Sequence, residues 1–108
     1  DYSETINDHF ALPRISGLFD DLNPSAGGTV SWKQLADRVA VTWESVTEYG
    51  AGNANSFQIE MFFDGTIALT HLAIAATDGL SGLSEGAGAP VVFVESISLY
   101  STKSQIRA

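Results

Sequence analysis

Hydrophobic and polar residues alternate along the middle of the chain with a period of two. Val39, Val41 and Trp43 alternate with polar or small residues, and Phe57 and Ile59 begin a second stretch of the same kind. Because successive side chains of an extended strand point to opposite faces, this pattern predicts strands with one buried face. The predicted strands cover residues 15–19, 29–34, 38–46, 56–64, 66–75 and 91–99.

Turn-forming residues separate these strands. Asp64-Gly65 predicts a two-residue hairpin turn of type I′, whose central residues both need positive φ. Glycine, asparagine and proline mark residues 20–28, 48–55 and 77–90 as surface loops. The chain is therefore predicted to be all-β, a mostly antiparallel β-sandwich of about six or more strands with long loops rich in glycine and asparagine.

The length of 108 residues fits a single sandwich module that spans residues 1–108. Residues 1–14 show no clean period and are treated as an N-terminal segment, and the polar tail 101–108 is interpreted as a linker. Because the sequence begins at Asp1 without an initiator methionine, we expect it to be a fragment of a larger protein.

The balance of charges excludes some partners. Thirteen acidic residues oppose five basic ones, which gives a formal net charge of −8. Nucleic acids and anionic membrane surfaces are bound by basic patches, so we expect neither as a partner. No apolar run reaches the roughly 18 residues of a membrane span, so membrane insertion is not expected either. The sequence has no cysteine, which excludes disulfides and thiol nucleophiles.

Oxygen-bearing side chains are concentrated in two of the predicted loops. Asp20, Asp21 and Asn23 lie in the first, and Asp78 lies in the last. Calcium takes six to eight oxygen ligands, often from loops, so these four residues are the candidate ligands of a Ca²⁺ ion. The alternative is an ordinary turn at Asp-Asp-Leu-Asn-Pro without a bound ion.

Aromatic residues suggest a second kind of site. Trp32 and Tyr49 could stack on sugar rings, and Asn53 and Asn55 lie in the same predicted loop as Tyr49. These four residues are the candidate ligand-binding residues. Trp43 is instead expected in the core, because it shares the predicted inward face of its strand with two valines.

One stretch matches a catalytic motif. Residues 82–86 read G-x-S-x-G, the nucleophile elbow of α/β-hydrolases, with Ser84 as nucleophile and His71 as its base. That motif works on a sharp turn between a strand and a helix, but the residues that follow Gly86 are poor helix formers. We therefore interpret Ser84 as part of a surface loop and His71 as a half-buried strand residue.

The order of several short motifs resembles nidogen-like domains. Residues 15–24, Ile-Ser-Gly-Leu-Phe-Asp-Asp-Leu-Asn-Pro, are similar to the opening of those domains. Gly17 departs from the pattern, which prefers proline there, and His71 stands where an aromatic residue is common. The later counterparts are residues 30–32, 41–44 and 55–58, the Asp64-Gly65 turn and the glycine-rich stretch 79–86.

The resemblance implies an extracellular, non-catalytic β domain of the kind appended to secreted bacterial multidomain proteins. We therefore expect an accessory or adhesion-type module, secreted or at the cell surface, rather than an enzyme. Its expected partners are neighbouring domains of the same chain, or an extracellular protein or polysaccharide. The alternatives are a carbohydrate-binding module of a secreted enzyme and, less favoured, a small hydrolase that uses Ser84 and His71.

Overall fold

The computed structural model describes residues 5–89 and 104–107, and these residues form an all-β sandwich with one short helix. All strand pairs among them are antiparallel. The elements are α1 (Ile6–Ala11), β1 (Pro13–Phe19), β2 (Leu22–Asn23), β3 (Thr29–Gln34), β4 (Arg38–Glu48), β5 (Asn55–Phe62), β6 (Ile67–Ala73), β7 (Leu80–Glu85) and β8 (Ser104–Arg107).

The larger sheet has the strand order β2-β4-β5-β6-β8, and β3 also pairs with β4. β3 and β2 lie one after the other along the same edge of β4, because β3 pairs with residues 39–44 and β2 with residues 47–48. Between these two regions the ladder of β4 with β5 is shifted, and Ser45 adopts a φ of 54°. Such a bulge bends a strand and changes the direction of its side chains.

The smaller sheet consists of β1 and β7 and packs on one face of the larger sheet. Leu18 of β1, Phe57 of β5 and Ile74 form the buried core between them. The ring of Trp43 stacks on Phe57 with centroids 4.7 Å apart and 14° between the ring planes. The backbone at Gly17 lies so close to the Phe57 ring that there is no room for a Cβ atom between them.

The structure corrects the predicted two-residue turn at Asp64-Gly65. Phe62 and Thr66 close a three-residue loop, in which Gly65 N donates to the Phe62 carbonyl at 3.0 Å. Gly65 has a φ of 93°, whereas Asp64 has none of the positive φ that a type I′ turn needs. A type I turn followed by a left-handed glycine is the usual three-residue hairpin, so the Asp-Gly pair lies one position later in the loop than expected.

Two of the predicted loops contain strands, since β7 lies in the last expected loop and β2 in the first. β8 lies in the polar tail and α1 in the N-terminal segment, where the sequence pattern predicted no element. β7 and β8 are poor in β-branched residues and are stabilised by partners distant in sequence, β1 and β6, which local propensity does not reveal. The strand predicted at residues 91–99 lies outside the described residues.

Replacing Gly17 by alanine tests the close contact between the sheets. A Cβ atom at this position would lie 2.5 Å from Phe57 Cδ2 and 3.3 Å from Ile59 Cγ1. We expect Gly17→Ala to lower the free energy of unfolding by about 1–3 kcal/mol, as overpacking of a core does. Gly52→Ala is the matched control, because its Cβ would meet no atom within 4 Å. Equal urea midpoints for the two variants would contradict the packing described here.

Candidate functional site

Three carboxylates from separate parts of the chain meet at one end of the molecule. Asp20 follows β1, Glu48 ends β4, and Asp78 precedes β7. One carboxylate oxygen of each lies within 4.8 Å of those of the other two. We call this group the acidic cluster. Carboxylate oxygens are the ligands that calcium prefers, and a cation would offset the repulsion between the three charges.

The acidic cluster contains only part of the predicted calcium set. Asp20 and Asp78 belong to it, whereas Asp21 and Asn23 do not. The Asn23 Oδ1 atom accepts a hydrogen bond from Ser25 Oγ at 2.6 Å, which fixes the local turn. Sequence reasoning missed Glu48, because only the pairing of β2 with the end of β4 brings it beside Asp20.

Both candidate sugar-stacking residues are exposed, but they lie on separate surfaces. Trp32 is 72% exposed and Tyr49 is 71% exposed. Trp32 lies opposite Val41 on β4, and Tyr49 follows the end of that strand, eight residues beyond Val41. At about 3.3 Å per residue this corresponds to roughly 25 Å, so the two rings do not form one platform.

The two candidate asparagines stabilise the loop between β4 and β5. Asn55 is fully buried, its Nδ2 donates to the Val46 carbonyl, and its Oδ1 accepts from the backbone N–H groups of residues 75–76. Asn53 Oδ1 accepts from Glu48 N, and its Nδ2 donates to the Glu48 carboxylate. Asn55 is therefore inaccessible to a ligand, and Asn53 orients a member of the acidic cluster.

The larger sheet carries exposed apolar residues on β3. Val30 lies opposite Trp43, and Trp32 lies opposite Val41. Since opposed residues share a face, both lie on the side of the sheet that contains the core. The smaller sheet covers Phe57 but does not reach β3, and Val30 remains 45% exposed. We call the surface formed by Val30 and Trp32 the open face.

A buried histidine joins the two sheets. His71 of β6 is fully buried, and its Nε2 lies 2.9 Å from the Gly17 carbonyl oxygen and 3.0 Å from Ser81 Oγ. These contacts connect β6 with β1 and with β7. A carbonyl oxygen only accepts hydrogen bonds, so Nε2 carries the proton.

In this tautomer, His71 cannot act as a general base toward the Ser81 hydroxyl. A general base must present a lone pair to the hydroxyl of the nucleophile. Here the Nε2–H group faces both oxygens, and the Ser81 hydroxyl donates to the Ser16 carbonyl at 3.3 Å. Burial lowers the pKa of His71 despite the opposing hydrogen bond to Gly17, so the ring is neutral at pH 7. His71 acts as a structural link between strands.

Ser84 does not lie on a nucleophile elbow. It is a regular residue of β7 opposite Arg14, and its hydroxyl accepts a hydrogen bond from Gly86 N at 3.0 Å. Ser84 lines a cavity of about 1020 Å³, but the described residues around that cavity include no histidine. Among the described residues, Ser84 therefore has no contact with His71, the base that the hydrolase alternative assigns to it.

His9 anchors α1 to the smaller sheet. It is buried, its Nδ1 lies 3.3 Å from Ser16 Oγ, and its ring packs edge-on against Phe10 with centroids 4.7 Å apart. Burial lowers the pKa of His9, and the charge of Arg14 lowers it further. The sequence showed no sign of this contact, because His9 lies in a stretch without a clear period.

Comparisons with known proteins found no matching family model, curated protein or solved structure. Among the described residues, no helix is long and apolar enough to cross a membrane.

The two buried histidines predict that the protein loses stability in weak acid. Burial lowers the pKa of each in the folded state below the usual 6.5, so the unfolded state binds more protons as the pH falls. We expect the free energy of unfolding to fall from about pH 6.5 downwards, by up to about 1.4 kcal/mol per pH unit for each histidine. Urea unfolding at a series of pH values measures this slope.

His71→Gln is the variant that separates this effect from the titration of carboxylates. Glutamine retains an N–H donor for the Gly17 carbonyl but does not titrate. We expect a lower stability at pH 7 and a flatter dependence between about pH 6.5 and 5. Parallel curves for the wild type and the variant would show that His71 does not carry the pH dependence.

The calcium expectation remains a prediction that thermal melting can test. If the acidic cluster binds Ca²⁺, millimolar calcium should raise Tm by about 4 °C or more relative to EDTA. Asp78→Asn should abolish this difference, and Asp21→Asn should retain it, because Asp21 lies outside the cluster. Identical melting curves with calcium and with EDTA would mean that the three carboxylates coexist without this ion.

Proposed function

We propose that this chain is a non-catalytic accessory module of a secreted or cell-surface multidomain protein, and that it binds a protein partner through the open face. The observation that carries the proposal is the exposure of Val30 and Trp32 on the core side of a paired β-strand. Large apolar side chains on a rigid sheet lose little conformational entropy on binding. Tryptophan is also among the residues that contribute most to protein interfaces.

The buried structural contacts of both histidines support a non-catalytic role. His71 and His9, the two histidines of the sequence, both take part in buried contacts that hold the smaller sheet and α1 in place. The Ser81 hydroxyl donates to the Ser16 carbonyl rather than to His71. Ser84 accepts from Gly86 N, and the described residues around the cavity that it lines include no histidine.

The extracellular part of the proposal is supported by the resemblance to nidogen-like domains. We propose a domain of the same polypeptide, or an extracellular protein, as the partner. A net charge of −8 keeps such a module soluble and disfavours binding to nucleic acids or anionic lipids.

Carbohydrate binding is the second candidate, and the exposed ring of Trp32 favours it. A sugar site needs polar groups beside the aromatic platform. Gln34, two residues further along the same face of β3, is exposed and meets this need. Val30 on the other side of Trp32 is apolar, which suits a protein partner better than a sugar.

Binding through the open face can be tested with the emission of Trp32, taken as the difference spectrum between the wild type and Trp32→Phe. With an added extracellular partner domain, we expect a blue shift of this emission relative to the isolated chain. Tyr49→Phe is the control, because Tyr49 is equally exposed but lies on another surface.

Gel electrophoresis in the presence of cellulose, chitin or xylan derivatives tests the carbohydrate alternative. Retardation that is lost in Trp32→Ala would favour this alternative over a protein partner. Hydrolysis of an ester, peptide or glycoside substrate that is lost in Ser81→Ala or Ser84→Ala would contradict the non-catalytic role.

A further inference from the structure

In the part of the chain that the structure describes, β3 is an edge strand of the larger sheet. It pairs with β4 on one side, and among the described residues no strand lies on its other side. All six residues of Thr29–Gln34 are exposed. In an edge strand every second residue directs its N–H and C=O groups outward, where another strand can pair with them.

The features that usually prevent edge pairing are largely absent from β3. Its six residues pair with β4 in one uninterrupted register, without a bulge. The strand contains no proline and no acidic residue, and Lys33 is its only charged residue. Proteins commonly protect their edges with prolines, bulges and charges, and β3 has only a single lysine for this purpose.

The charge distribution makes this edge suitable for a second copy of the chain. Thirteen acidic and five basic residues give the protein a net charge of −8, so two copies repel one another over most of their surface. Residues 22–36 contain no acidic residue, although Asp21 and Asp37 flank this segment. Two copies that meet along β3 therefore avoid direct contact between carboxylates.

We propose that two copies of the chain associate through antiparallel pairing of their β3 strands, with Ser31 opposite Ser31 of the second copy. The two-fold axis is then perpendicular to the sheet, and both open faces lie on the same side. In this register Val30 lies opposite Trp32 of the second copy, and the reciprocal pair forms by symmetry. On the other face, Thr29 lies opposite Lys33.

The neighbouring register is less favourable. A pairing centred on Trp32 would place Trp32 opposite Trp32 of the second copy and Val30 opposite Gln34, so it forms one aromatic pair but loses both pairs between Val30 and Trp32. The register centred on Ser31 instead joins the two open faces into one continuous apolar strip. This inference does not require the proposed function, but a dimer would present a partner with twice the open face.

The interface of two six-residue strands is smaller than the roughly 1000 Å² of a stable complex, so we expect weak association. Sedimentation velocity from about 10 µM to 1 mM should show a monomer–dimer equilibrium with Kd on the order of 100 µM. Trp32→Glu should weaken it about tenfold or more. Tyr49→Glu, which makes the same change on an equally exposed aromatic residue, should leave it unchanged.

Single cysteines test the register directly, because the chain has none of its own. In the proposed dimer the Cβ atoms of the two Ser31 residues lie about 5 Å apart, whereas those of the two Thr29 residues lie roughly 13 Å apart along the strands. Under mild oxidation, Ser31→Cys should form a disulfide dimer at least about tenfold faster than Thr29→Cys. Circular dichroism verifies that each variant is folded.

A monomer at 1 mM, or equal cross-linking of the two cysteine variants, would overturn the proposed dimer. These measurements need no added ligand, so they are independent of the test of the proposed function. A chain that remains monomeric but shows the Trp32 blue shift would retain the proposed function alone. A chain that dimerises in the stated register but shows no blue shift when the partner domain is added would retain the dimer alone.

Discussion

The contact between His71 and Gly17 determines how the two sheets sit on one another. The imidazole N–H reaches the Gly17 carbonyl only because glycine allows β1 to approach the Phe57 ring without a Cβ atom between them.

This link also determines which part of the larger sheet is covered. Among residues 5–89 and 104–107 the smaller sheet has two strands, and His71 and Gly17 hold it over β5 and β6. Two strands span roughly 10 Å, since neighbouring strands lie about 4.8 Å apart, so they cannot also cover β3. The exposure of Val30 and Trp32 is therefore a consequence of the inter-sheet contact rather than an independent feature of β3.

Local patterns predicted the central strands of the larger sheet, but they missed β7 of the smaller sheet and the edge strand β8. β4 and β5 alternate clearly, so their existence followed from the period of the side chains. β7 and β8 have weak local signals and depend on partners distant in sequence. Of the site residues, the exposure of Trp32 and Tyr49 agreed with a surface role. The burial of Asn55 and the position of Glu48 could not be predicted, because both follow from how loops fold back onto β4.

The acidic cluster and the open face are two potential binding regions that lie at different positions along β4. The acidic cluster lies where β4 ends at Glu48, and the open face lies beside its first half, opposite Val41. The intervening distance of roughly 25 Å exceeds the Debye length of about 8 Å at physiological ionic strength. A cation at the cluster would therefore change the potential at Trp32 very little. Binding at the open face depends on apolar contact and on the local absence of acidic residues, whereas any effect of a cation would be confined to the loops that carry Asp20 and Asp78.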